Sequence, residues 1–139
     1  GWCAKYIDIP SEPAYPFAFG LSYTTFEYSA LKVLPGDGGK VHARVRVEVK
    51  NTGRYEGEEV VQLYVRDEAA SITRPVKELK GFEKIALKPG ESKEVVFDIT
   101  DEQLGFYDNR MNFVVEKGDF TFMVGTNSRD VDSVSYTLL

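Results

Sequence analysis

From Val41 to Asn51 apolar and polar residues alternate without a miss. Val41, Ala43, Val45, Val47 and Val49 interleave with His42, Arg44, Arg46, Glu48 and Lys50. A side-chain period of two is that of a strand with one buried face and one wet face. Glu59 to Arg66 repeats the pattern, with Val61, Leu63 and Val65 inward and Gln62, Tyr64 and Arg66 outward. Ser92 to Ile99 points Val95, Phe97 and Ile99 in, Phe120 to Gly125 points Phe120, Phe122 and Val124 in, and Val134, Tyr136 and Leu138 alternate in the last strand. From Phe26 to Val33 the parity changes, from Phe26, Tyr28 and Ala30 to Leu31 and Val33, which predicts a bulge near Ala30. Glu78 to Leu87 reads as a strand broken by Gly81.

Turn signals separate these runs: Pro35-Gly36-Asp37-Gly38-Gly39, Asn51-Thr52-Gly53, Lys88-Pro89-Gly90-Glu91 and Asp108-Asn109-Arg110. Short strands over Leu104 to Asp108 and Met111 to Val115 flank the last of them. Thr100-Asp101-Glu102-Gln103 has the spacing of a capping box and predicts a single helical turn. Asp67 to Lys77 is a long loop without apolar period. Seven or eight short strands with almost no helix predict an all-β chain folded as an antiparallel, immunoglobulin-like sandwich.

The N-terminal region breaks the rhythm. Residues 1–14 hold no sustained period, and Pro10, Pro13 and Pro16 favour an extended strap over a helix or a paired strand. Tyr15 to Phe26 follows as an aromatic ribbon, with Tyr15, Phe17, Phe19 and Tyr23 ahead of Phe26. A run this aromatic needs cover, either from its own sandwich or from a neighbouring domain. The expected division is therefore 1–25, strap and ribbon from a preceding domain, and 26–139, the sandwich.

Composition narrows the function classes. The 139 residues suggest one domain, able to bury a core without staples. A net charge of -5, with Lys and Arg scattered among acids, argues against nucleic acid and against an anionic membrane. Cys3 is the single cysteine, so no intrachain disulfide forms, and it reads as a packing residue rather than a nucleophile. No run reaches membrane-spanning length and no signal peptide is seen. A start at Gly1 rather than Met is expected for a fragment.

Catalytic chemistry finds little support. Hydrolysis of a glycoside needs two carboxyl groups facing each other across a sugar-sized gap. Asp67-Glu68, Asp101-Glu102 and Asp130/Asp132 are the candidates, each on a loop or turn where charge is solvated, and the capping box already accounts for the second pair. His42 has no second His or neighbouring Cys to complete a zinc set, and Asp37 lacks the spaced acids of a calcium loop. Gly36 to Gly39 is followed by no Lys-Ser/Thr and no helix, which excludes a phosphate loop. The expected site inventory is empty: no catalytic, cofactor-binding or metal-binding residue, and no cofactor. Sugar stacking on Tyr55, Tyr64, Phe106 or Tyr107 is the alternative, set against the simpler reading that Tyr64 pairs with another side chain on its sheet.

Several blocks, in order, carry a resemblance. Tyr15-Pro16-Phe17-Ala18-Phe19-Gly20-Leu21-Ser22-Tyr23-Thr24-Thr25-Phe26 opens it, followed by Asn51-Thr52-Gly53 with Gly57 and by Val60 to Val65. Arg74 to Lys84, Leu87 to Ser92, Phe106-Tyr107 and Gly118 to Gly125 complete it. Together they resemble the C-terminal fibronectin type III-like domain of family 3 glycoside hydrolases, the periplasmic β-glucosidase type. Ala18 departs from the pattern, where the family usually has Gly, and affects only the local bend. The resemblance implies a parent that releases terminal β-D-glucosyl residues with retention. Its Asp nucleophile and Glu acid/base lie in other domains, so no catalytic residue transfers to this chain. It further implies a non-catalytic accessory role, the catalytic domains of the same chain as partners, and a periplasmic or secreted location. A homodimer and an oligosaccharide contact stay open, as does a free-standing carbohydrate-binding or adhesive module. The Asp67 to Lys77 loop is the expected reach toward the catalytic body or a partner subunit.

Overall fold

The computed structural model describes residues 5–9, 24–68 and 77–139. Most of the aromatic ribbon and residues 69–76 of the long loop lie outside these, so the expectations placed on them are not addressed by the structure. Ten strands and one helical turn are seen among the described residues. They are β1 (Lys5–Ile9), β2 (Thr24–Pro35), β3 (Ala43–Asn51), β4 (Gly57–Asp67), β5 (Glu78–Leu87), β6 (Ser92–Ile99), α1 (Asp101–Leu104), β7 (Phe106–Tyr107), β8 (Phe113–Val114), β9 (Gly118–Gly125) and β10 (Val131–Leu138).

Two four-stranded antiparallel sheets, β1-β2-β3-β6 and β10-β9-β4-β5, share one hydrophobic core, and β7-β8 forms a separate hairpin. Val45, Val47 and Val49 of β3, Val61, Leu63 and Val65 of β4, and Phe120, Phe122 and Val124 of β9 are all buried in it. Each inward parity read from the alternation meets the others there. Burying such a side chain stabilises the fold by roughly 1.5–3 kcal/mol before chain entropy is set against it. Phe122 and Tyr136 add a stacked pair with ring centroids 5.4 Å apart.

The bulge expected near Ala30 is present. The β2-β3 register slips between Ser29 and Lys32, and Ala30 takes φ 56°. That left-handed residue turns Leu31 and Val33 back onto the core after the parity change. The predicted box also forms: Thr100 accepts from Glu102 N at 3.3 Å, and Thr100 N donates to Gln103 Oε1 at 2.7 Å. Leu104, buried at the end of that turn, packs into the cluster.

Two expectations need correction. Residues 5–9 are not an unpaired strap, because Lys5–Ile9 pairs antiparallel with Thr24–Tyr28. The prolines lie beyond Ile9, so they bound this strand without entering it, and its N–H donors remain available to the ladder. Gly81 does not break β5 either. The strand runs through, with a register slip opposite Leu63 and Tyr64 that leaves Lys80 as the extra residue. Gly81 faces inward, where an added Cβ would make ordinary van der Waals contact with the Phe97 ring at 3.4 Å.

Candidate functional site

The carboxylates do not converge. Glu68 accepts from Arg66 at 2.9 Å and from Thr121 at 2.9 Å, on the rim of the second sheet. Asp130 accepts from Asn127 Nδ2 at 3.1 Å inside its own turn. Asp132 is buried in β10 and opposite Val124 in register. Asp37 folds back to accept from Gly39 N at 2.7 Å and Val41 N at 3.2 Å, and these backbone donors hold its carboxyl below the usual range. That is a turn, stabilised by its own aspartate.

Asp101 and Glu102 come nearest to an active site. With Gly39, Lys40, His42 and Thr100 they line a cleft of about 620 Å³ at the end of the sandwich where β3 begins. His42 Nε2 lies 2.7 Å from Asp101 Oδ1. The two acids are consecutive residues of one helical turn, and among the described residues no carboxylate lines the cleft opposite them. Glycoside hydrolysis needs its two carboxyl groups on opposite sides of the bond. The arrangement caps a helix turn and ties it to β3.

Sequence reasoning missed a polar layer at the opposite end. Glu59 is only 3% exposed. It accepts from Tyr28 Oη across the sandwich at 2.9 Å, from Thr126 Oγ1 at 3.1 Å and from its neighbour Val60 N at 3.1 Å. Burial pushes its carboxyl above the usual carboxylate range, against the pull of those three donors. Burial, then the Glu59 charge, pushes the Tyr28 phenol up as well. Beside this pair, Asn51 accepts from Thr24 Oγ1 at 2.5 Å and Gly53 N at 2.9 Å, and donates to Tyr55 O at 2.8 Å and Leu87 O at 2.9 Å. All of its amide's polar capacity is directed at the loops that close that end. A Cβ on Gly53 would come within 2.8 Å of the Thr24 backbone, so the Asn51-Thr52-Gly53 turn has no room for one. The signal was legible: Asn51, Glu59 and Asp132 all continue an inward parity of Val or Leu. A polar residue on such a parity marks a buried network.

The aromatic candidates split. Tyr64 is half-buried, donates to Gln62 Oε1 and carries Lys77 Nζ 6.0 Å above its ring, so it pairs with side chains and presents no open platform. Phe106 is half-buried as well. Tyr107 is 65% exposed and packs edge-on against Phe113, centroids 5.2 Å apart. Tyr55 is half exposed in the loop that Asn51 ties down.

Among the described residues the most exposed aromatic lies elsewhere. Phe82, 69% exposed, stands on the outer face of β5 with Leu79, 51% exposed. Register places Phe82 opposite Gln62, Leu79 opposite Tyr64 and Lys84 opposite Val60, so all six occupy one outer face. Lys84 Nζ lies 3.3 Å from Glu58 Oε2 at one end of that strip. No group of three or more His, Cys, Asp or Glu positioned to hold a metal occurs among the described residues.

Comparison with known proteins agrees with this geometry. The model of the fibronectin type III-like domain family matches residues 59–128, from the buried Glu59 to the β9-β10 turn. A periplasmic beta-glucosidase of Salmonella typhimurium is 46% identical over 99% of this chain and 18% of its own length. A beta-xylosidase of Formosa agariphila is 47% identical over 91% of this chain and 18% of its own length. The solved GH3 beta-glucosidase of Bifidobacterium adolescentis superposes with a TM-score of 0.74 at 40% identity, over 89% of this chain and 18% of that one. The chain thus spans less than a fifth of the length of the relatives it matches. With two antiparallel sheets, one core and a family match beginning at its polar plug, the chain belongs to the fibronectin type III-like domain family.

Proposed function

We propose that this chain is the non-catalytic accessory domain of a β-glucosidase-type glycoside hydrolase and that it braces the catalytic domains of the same polypeptide. One observation carries the reading: the likeness to the Salmonella relative extends over 99% of this chain and only 18% of that enzyme. The scatter of the carboxylates supports it: Glu68 is held on a sheet rim, Asp130 in its own turn and Asp101 at a helix cap, far from one another in the fold. The parent's reaction is release of terminal β-D-glucosyl residues, performed by residues outside this chain. Residues 1–25 carry the link from the preceding domain, with Lys5–Ile9 paired into the first sheet, and 26–139 form the rest of the folded brace. The cell compartment is periplasmic or secreted, in line with the periplasmic Salmonella relative. Among the described residues no helix is long and apolar enough to cross a membrane.

The test is the length of the native polypeptide in its source cells, read on a denaturing gel with an antibody against this domain. A product several times longer than 139 residues that hydrolyses aryl β-glucosides is the expected result. A product of this length, binding sugars by titration, would overturn the reading in favour of a free-standing carbohydrate module.

A further inference from the structure

We propose that the outer face of β4 and β5, centred on Phe82, is the surface by which this domain docks onto the rest of its own polypeptide. The inference rests on the accessory-domain reading and adds which face is used and which side chain anchors it.

The physical case begins with exposure. Phe82, Leu79 and Val60 are all exposed and share one face of one strand pair. β5 is the last strand of its sheet, and an edge strand carrying an open Phe is an association hazard unless something covers it. Core packing does not require these residues. The inward positions of β5 are filled by Ile85 and Leu87, so Phe82 and Leu79 add nothing to the sandwich's interior.

The strip has the anatomy of an interface, an apolar centre with a charged rim. The Lys84–Glu58 pair bounds one end and Lys77 stands over Tyr64 at the other. Lys80, the bulged residue, leaves the face entirely and donates to Gly105 O at 3.1 Å. That bond fastens the β7-β8 hairpin beside the edge, with exposed Tyr107 and Phe113 on it. The hairpin is thus held near the edge strand through a residue that has turned away from the Phe82 face. On the opposite outer face the ion pairs Arg44–Asp98 and Arg46–Glu94 span the middle of the strand pair where the second face holds Phe82.

The occupant is the remaining body of the same polypeptide, because relatives that match nearly all of this chain devote more than four-fifths of their length to other segments. The feature it must offer is an apolar recess for the Phe82 ring, rimmed by polar groups that meet Lys84 and Glu58.

Cysteine labelling tests this in the full-length polypeptide. Phe82→Cys, Leu79→Cys and, as the opposite-face control, Val96→Cys are each placed in a Cys3→Ser background. Maleimide uptake is followed peptide by peptide by mass spectrometry, in the long polypeptide and in the 139-residue chain. In the short chain all three positions should label at comparable rates. In the long polypeptide positions 79 and 82 should slow by about tenfold or more, since thiol reactivity follows access, while position 96 keeps its rate. Equal labelling of position 82 in both would overturn the docking face while leaving the accessory reading intact. Protection already present in the short chain and growing with concentration would assign the face to a second copy, and so would also overturn it. A native product of only 139 residues would end both proposals.

Discussion

The two outer faces of the sandwich follow the same alternation and end in different chemistry. On the first sheet Arg44 bonds Asp98 at 3.1 Å and Arg46 bonds Glu94, across the β3-β6 pair. On the second, Phe82, Leu79 and Val60 stand exposed between the Lys84–Glu58 pair and Lys77, with the Arg66–Glu68 pair further along β4. A solvated face gains from interleaved charge, whereas a face held out of water does not. The contrast teaches that period-two alternation reports which side faces the core, and that only the residue types on the other side report whether that side is wet.

The largest effect should separate buried from exposed aromatics. Phe26 is wholly buried and Phe82 largely open, so truncating each to Ala compares one side chain in two environments. In the 139-residue chain Phe26→Ala should cost about 3–5 kcal/mol in urea denaturation, from lost transfer energy and the cavity left behind. Phe82→Ala should stay within about 0.5 kcal/mol, as surface changes do. A cost for Phe82→Ala comparable to that for Phe26→Ala would show that β5's outer face is part of the fold's own core and would dissolve the contrast.

Next comes the polar layer on which both sheets depend. Asn51→Ala removes the acceptor for Gly53 N and Thr24 and the donors to Tyr55 O and Leu87 O. Leaving even one buried partner unsatisfied costs about 1–3 kcal/mol. The loss should appear in chemical denaturation with an unchanged slope. Asn51→Asp should recover only part of it, because a carboxylate accepts but cannot donate to the two carbonyls.

Much of this was legible beforehand, for identifiable reasons. The valines of β3 could only be a half-buried strand, and the parity change at Ala30 could only be absorbed by a bulge. The Thr100 to Gln103 spacing dictated its box. Pairing of Lys5–Ile9 was not legible, since proline density in the surrounding segment outweighed five proline-free residues whose partner, Thr24–Tyr28, begins only beyond those prolines. Continuity of β5 through Gly81 was hidden because a glycine that ends a strand and one that sits within it look alike in sequence. That the candidate acids lie apart could be argued only carboxylate by carboxylate. The buried acid at Glu59 passed unread although its parity with Val61 was on view.

That acid supplies a pH-dependent prediction. The folded-state pKa of Glu59 lies above its ordinary value of 4.5, so the native state holds this proton more tightly than the unfolded chain does. Its contribution is most favourable below that value and declines as pH rises through the folded pKa. Gln at this position can accept from Val60 N and Thr126 and donate to Tyr28 Oη without titrating. Stability of the wild type relative to Glu59→Gln should therefore fall as pH rises above about 4.5, then level off. A difference that stays flat from acid to neutral pH would mean Glu59 titrates normally and that the sandwich opens to water at this end.

The smallest effect sharpens the charged face itself. In the β3-β6 register Glu48 stands directly opposite Glu94, and Arg46 opposite Val96. Arg46 reaches diagonally to Glu94 and so holds a cation beside two facing carboxylates. Arg44 pairs directly with Asp98, and its charge also reaches Asp37. Removing Arg46 leaves like charges opposed with no counter-charge between them, which is unfavourable across strands. Both guanidinium groups are partly solvated, so each loss should fall within the roughly 0.2–1 kcal/mol of surface pairs, with Arg46→Ala costing more than Arg44→Ala. In 1 M sodium chloride, where the Debye length is about 3 Å, both differences should shrink and the gap between them close. If the gap persists at high salt, Arg46 acts by covering apolar surface with its aliphatic stem. The first sheet's outer face would then differ from the second in degree only, both being apolar ground, one covered from within the domain and the other from outside it.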